Sequence, residues 1–300
     1  MTVNNSPAVR SVSLPVPSIK SRTGVGQLMG AILVDAGRLT ELSVEQILSF
    51  QQERGGRFGE AGQALGLLTE EDVRFALSVQ FDYPYLAPES KLSHDLVAAY
   101  HPNSTQVEEL RALRSQLMLR WFSIGTGRNG LAVVSAGRKD GRSYLAANLA
   151  IVFSQLGERT LLIDADLRTP RQHKLFNLGE RAGLSDVIVG RAGLDAITAI
   201  PGLSSLSVLP SGTIPPNPQE LLGRSEFSSL LGALGEDFGV MIIDTPAANS
   251  CADAQTVAAR AGAALMVARQ NTSSIPQLAR FTRSLREFGV TLVGSVLNDV

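Results

Sequence analysis

LAVVS (131–135), AGRKDGRS (136–143) and YLAANLAIVFSQLG (144–157) follow one another without a gap. The first reads as a short apolar strand. The second is a loop with glycines at 137 and 141. The third reads as a helix. A phosphate loop needs this order, because backbone N–H groups and the helix dipole then meet the anion. The usual loop closes on Gly-Lys-Ser/Thr. Here it closes on Gly141-Arg142-Ser143, and Ala136 stands where a glycine usually leads. Alone, the string also fits an ordinary turn before a helix.

Working outward from the loop, strand-like runs recur as TLLID (160–164), LSVLP (206–210), VMIID (240–244), ALMVA (264–268) and TLVGSVL (291–297). Helical stretches are expected at 143–156, 219–234, 253–261 and 276–288, with a further helix over 106–121 before the first strand. Short β-rich runs alternating with helices predict an α/β domain with a mostly parallel sheet covered on both faces. In such a sheet ligands bind beyond the carboxyl ends of the strands. Asp164 and Asp166 close one strand and Asp244 closes another. Any one of them reads equally as a cap or turn former. Together with the loop they place three carboxylates and a phosphate site on one edge. That arrangement points to Mg²⁺-ATP: Ser143 binds the ion directly, Asp244 holds it through water, and Asp164 or Asp166 accepts the proton of an attacking hydroxyl.

The order of phosphate loop, IDADLR (163–168), SGTIPPNPQELL (211–222), IIDTP (242–246) and VLND (296–299) resembles the bacterial tyrosine kinases of capsule and exopolysaccharide synthesis. Within that family it is similar to chain-length determinant kinases of the EpsG type, in which Gly-Arg-Ser replaces Gly-Lys-Ser. The resemblance covers about 105–300. It implies a P-loop fold shared with MinD and ParA ATPases, tyrosine kinase activity, and ATP and Mg²⁺ as cofactors. It implies phosphate contacts from Gly137, Arg138, Lys139, Asp140, Gly141, Arg142, Ser143 and Tyr144, catalytic roles for Asp164, Asp166 and Arg142, and metal contacts from Ser143, Asp244 and Asp164. Asn298 is expected at the adenine, or as a cap of the last strand. Glu108, Arg111 and Arg114 fit the E-x-x-R-x-x-R helix of that family, which implies a homo-oligomeric ring; the bland reading is a solvated charged face. The implied partner is a membrane polysaccharide co-polymerase. The sequence departs from the family at Arg142, at Tyr144, where threonine is common, and in stopping at Val300 without a tyrosine-rich tail. A non-catalytic ATP-dependent switch and a MinD-like ATPase are the competing readings.

Ahead of this domain, GRLTELSVEQILSFQ (37–51) and GLLTEEDVRFALSVQ (66–80) repeat at an offset of 29. A period of this size indicates duplicated helical units, expected as a small helical module over 24–86, after a disordered tail over 1–23 and before a linker over 87–104. The module resembles the duplicated cyclic-di-GMP-binding unit of MshEN-type domains, with Arg57 and Gly59 on the motif. Leu28 occupies the arginine position of the first repeat, and a protein-docking module is the other reading. The net charge of −1 gives no argument for nucleic acid or an anionic membrane. A single cysteine, Cys251, excludes an intramolecular disulfide framework. No apolar run approaches the ~18 residues of a membrane helix, so the chain is expected to be cytoplasmic and to reach a membrane only through its partner.

Overall fold

A computed structural model of the chain describes residues 28–81, 86, 90–122, 127 and 129–299. The tail read over 1–23, with Tyr83 and Tyr85, lies outside the described residues. The chain divides into two compact units, Met1–Tyr83 and Pro84–Val300.

The first unit is helical: α1 Met29–Asp35, α2 Glu41–Arg54, α3 Phe58–Ala64 and α4 Glu70–Gln80. The 29-residue offset in the sequence is also an offset in structure, since α3 repeats α1 and α4 repeats α2. Gly37 and Gly66 both end a helix at φ +68°, a left-handed turn that a side chain would strain. Thr40 and Thr69 then cap the next helices by accepting from the N–H groups of Ser43 and Asp72. Ile32, Leu33, Leu39, Ile47, Ala61, Leu68 and Ala76 form the core. The second repeat carries smaller buried residues: Ile32, Leu33 and Ile47 of the first are matched by Ala61, Gly62 and Ala76. Leu68 and Ile47 fill the space a side chain would take at Gly62, and a Cβ there would lie 2.5 Å from a Leu68 methyl.

The second unit opens with α5 Val97–Tyr100 and α6 Thr105–Arg120. Strand β1 Gly130–Ser135, α7 Arg142–Gln155, β2 Thr160–Asp164, α8 Gln172–Leu175 and α9 Leu184–Ile188 follow. The chain continues through β3 Thr198–Ile200, β4 Leu203–Leu209, α10 Pro218–Gly223, α11 Ser225–Asp237 and β5 Val240–Asp244. It ends with α12 Asp253–Ala261, β6 Ala263–Arg269, α13 Ile275–Glu287 and β7 Thr291–Asn298. The seven strands form one sheet in the order β3-β4-β2-β5-β1-β6-β7. All neighbours are parallel except β3 and β4. Strands β1, β2 and β5 are buried along their whole length, as their unbroken apolar runs require. Alternate residues of β1 serve opposite faces. Leu131 and Val133 join a core with α5, α6 and α7; Ala132 and Val134 join another with α9 to α12. No helix among the described residues is long and apolar enough to cross a membrane.

Two sequence expectations need correction, and one strand lies outside them. The helix expected over 219–234 is two helices, because Arg224 is extended between Gly223 and Ser225. The antiparallel strand β3 has only three residues, too few to show alternation. From Ser90 on, the stretch read as a linker is built into the α/β unit: Leu96, Ala98, Ala99 and Tyr100 are buried. Asn148 accepts from the Ala98 N–H and donates to the Asp95 carbonyl, and Gln155 donates to the Ala98 carbonyl.

Gly62→Ala sets two effects against each other. Alanine favours a helix by about 1 kcal/mol, and overpacking a filled core costs about 1–3 kcal/mol. With Leu68 atoms at 2.5 and 2.8 Å, overpacking is expected to win. Chemical denaturation should show a net loss of about 1 kcal/mol in the helical unit; a more stable variant would show that Leu68 turns aside freely.

Candidate nucleotide and metal site

The loop between β1 and α7 is fixed from inside. Asp140 is buried, and its carboxylate accepts from the Gly137 N–H at 3.0 Å. Lys139 takes a left-handed conformation at φ +62°, uncommon for a side-chain-bearing residue. Gly141 follows at φ +100°, and a Cβ there would meet the Asn298 amide at 2.3 Å. Asn298, at the end of β7, donates to the Asp140 carbonyl at 3.2 Å. It thereby ties the last strand to the loop. Arg138 and Lys139 are exposed at the loop's rim; Arg138 donates to the Ser250 hydroxyl and the Lys139 carbonyl accepts from Arg269.

Arg142 is buried and turns inward. Its Nε donates to the Thr245 carbonyl at 2.9 Å; one Nη donates to the Gly137 carbonyl at 2.7 Å and to the Ser135 hydroxyl. The guanidinium therefore spans the loop's base and joins β1 to the residue after β5. A lysine nitrogen could not bond in three such directions through a planar fork. Tyr144, next along, is half-buried, and burial with the nearby Asp95 raises its phenol above the ordinary value.

The three carboxylates do meet at this edge. Asp164 and Asp244 are partners in register across β2 and β5, and both are fully buried. Asp164 accepts from three backbone N–H groups, those of Asp166, Arg171 and Gln172. Burial, then the charge of Asp244, still pushes its carboxyl well above the usual range. Asp166 accepts from the Arg168 and Thr169 N–H groups and from the Thr169 hydroxyl. Both aspartates thus also do the turn-forming work common at strand ends.

Asp244 is pushed up to about 6 by burial, opposed by the Gln172 amide, the Ser143 hydroxyl and the charge of Arg142. Its Oδ2 accepts from Gln172 at 2.8 Å, and its Oδ1 is buried with no hydrogen-bond partner. An orphaned carboxylate oxygen beside Ser143 and the loop suits a Mg²⁺ ion that takes its remaining ligands from phosphate and water. Among the described residues no group of three or more His, Cys, Asp or Glu is placed to hold a metal alone.

Sequence reasoning missed Gln172, Thr245 and Ser135. Gln172 lies in a stretch with no periodicity, and Thr245 and Ser135 act through the ends of strands. Elsewhere, α6 carries Glu108 and Arg111 as an ion pair, while Arg114 donates to the Val152 carbonyl of α7 at 2.9 Å. In the helical unit Arg57 is exposed, and its backbone N–H donates to Glu60. Gly59 is buried, with the Val73 methyls 3.1 and 3.2 Å from where its Cβ would lie.

The raised Asp244 sets a pH dependence. A carboxyl that holds its proton more tightly when folded favours the folded state at low pH, and that contribution is lost as pH rises through about 6. Ligand-free Asp244→Asn is therefore expected to be more stable than the parent at pH 8, by on the order of 2 kcal/mol. The gain should shrink towards pH 5 in denaturation series, and a variant less stable at pH 8 would contradict the buried-charge assignment.

No family model matches the chain. A Klebsiella pneumoniae protein of the cps region bearing the tyrosine-protein kinase name is 34% identical over 206 residues, covering 68% of this chain and 28% of that protein. Tyrosine-protein kinase YwqD of Bacillus subtilis is 32% identical over 209 residues, covering 70% of this chain and 87% of the relative. This chain thus spans under a third of the longer relatives, such as the Klebsiella protein, and most of the shorter ones, such as YwqD. Among solved structures, the kinase domain of Escherichia coli tyrosine kinase ETK is 30% identical with a TM-score of 0.65, covering 72% of this chain and 84% of that one. The chimerical protein CapA2B2 is 33% identical with a TM-score of 0.64, covering 77% and 99%. MinD of Pyrococcus horikoshii, 21% identical with a TM-score of 0.50, shares the fold. With Arg142–Ser143, Asp164, Asp166 and Asp244 on one sheet edge, and with YwqD matched over 87% of its length, the chain belongs to the bacterial tyrosine-protein kinase family.

Proposed function

We propose that this chain is the Mg²⁺-ATP-dependent kinase component of an exopolysaccharide assembly system, with protein tyrosine as the class of phosphoryl acceptor. The observation that carries the reading is the orphaned Oδ1 of Asp244 beside Ser143, at the foot of a phosphate loop whose backbone is already fixed. Ser143 and Asp244 would hold the ion, which neutralises charge on the phosphates. Arg142 holds the base of the loop through Thr245, Gly137 and Ser135. Asp164 or Asp166 would take the tyrosine proton. Asp164, with its raised affinity for a proton, fits that role chemically, and its burial demands that the acceptor tyrosine enter deeply.

Two observations favour a second reading, a nucleotide-controlled switch without kinase turnover. The cation at 142 is bonded internally on three sides. Among the described tyrosines, Tyr100 is buried and donates to the Ser90 and Leu92 carbonyls, and Tyr144 is half-buried. In either reading the partner is a membrane polysaccharide co-polymerase. A ring of copies would use Glu108, Arg111 and Arg114, and the helical unit docks a protein or senses cyclic-di-GMP through Arg57 and Gly59.

Incubation of the purified chain with labelled ATP and Mg²⁺, with and without the cytoplasmic segment of the membrane partner and a tyrosine peptide, decides between these readings. Label on tyrosine is expected, and Asp164→Asn and Asp166→Asn should each lower it by about 10²-fold or more. Tight ATP binding with no transfer in any mixture would establish the switch instead.

A further inference from the structure

Gln172 is fully buried and bonds to both strand-end carboxylates and to the helix that leaves the phosphate loop. It opens α8, and its backbone N–H donates to Asp164 Oδ2 at 3.0 Å. Its side-chain Nε2 donates to Asp244 Oδ2 at 2.8 Å and to the Ser143 carbonyl at 3.1 Å. Both of those partners are acceptors, so the amide orientation is fixed: nitrogen faces them and Oε1 faces away. That Oε1 is buried and unpartnered, as is Asp244 Oδ1. A buried acceptor oxygen is costly to leave without a donor. The waters coordinated to a magnesium ion are strong donors.

We propose that Gln172 is a positioning residue for the Mg²⁺–nucleotide complex. Its nitrogen pins Asp244 Oδ2 and the Ser143 backbone, which leaves Asp244 Oδ1 as the acceptor for the ion's coordinated waters. This rests on reading the edge as a magnesium–nucleotide site. A side chain that served only to anchor the turn after β2 would need no bond to Ser143 on the helix that leaves the phosphate loop.

The test is calorimetry of ADP binding to the full chain, in excess Mg²⁺ and in EDTA, for the parent, Gln172→Met and Gln172→Asn. Methionine keeps the length without the amide; asparagine keeps the amide without the reach. Expected is an unchanged affinity in EDTA, with the gain on adding Mg²⁺ reduced by roughly tenfold or more in both variants. If either variant keeps the parent's full gain, Gln172 does not position the metal complex. If affinity falls as far in EDTA as in Mg²⁺, its role is in folding, and the inference fails. A parent that gains nothing from Mg²⁺ would remove the magnesium–nucleotide reading itself.

Discussion

Two buried carboxylates stand side by side in register across the middle of the sheet, Asp164 on β2 and Asp244 on β5. Like charges in a buried layer repel, and each also loses its hydration. Much of the local structure offsets that cost. The chain after β2 turns back so that three N–H groups reach Asp164. Gln172 is brought under Asp244 by the same turn. Arg142 lies close enough for its charge to favour the ionised Asp244. The compensation stops short of completion: both carboxyls remain raised, and one oxygen of Asp244 has no partner. A divalent ion would offset the repulsion that remains.

The same constraint accounts for how the phosphate loop is held. In a loop closing on Gly-Lys-Ser, the lysine supplies a point charge for phosphates. Arg142 works differently, since its fork reaches Thr245, Gly137 and Ser135 and so clamps β1, the loop and the end of β5 together. The loop's shape is thus tied to the strand that carries Asp244. A change at one is felt at the other, because the bond runs through backbone carbonyls and not through a flexible surface contact.

Much of this was legible in the sequence. The strands carrying Asp164 and Asp244 were read at TLLID and VMIID, and both end where expected. Their length of five residues and their β-branched content favour strand over buried helix. The 29-residue repeat was read from glycine, threonine and leucine spacing, and α1 to α4 follow it. What was illegible is long-range. Gln172 stands eight residues beyond Asp164 in a stretch without period, so nothing local signals that its amide spans to Ser143 and Asp244. The sequence shows Arg142 as a cation at a phosphate loop; its inward direction depends on carbonyls from residues 137 and 245. Arg114 was read with Glu108 and Arg111 as part of one charged helix face, yet it reaches a carbonyl of α7.

Arg114 bears on the ring proposed above. Of the three motif side chains, Glu108 is the most exposed and is paired with Arg111 one turn away. An exposed pair of this kind contributes about 0–1 kcal/mol. Arg114 is anchored to Val152 near the end of α7, the helix that begins at the phosphate loop. The motif therefore has two mechanical parts: an ion pair whose Glu108 end is exposed, and an inward arginine that joins α6 to α7. A neighbour that captured Glu108 or Arg111 would act on α6, and α6 is bonded to α7. Contact between copies and the state of the loop would then share one rigid element, the physical condition under which assembly and nucleotide occupancy bias each other.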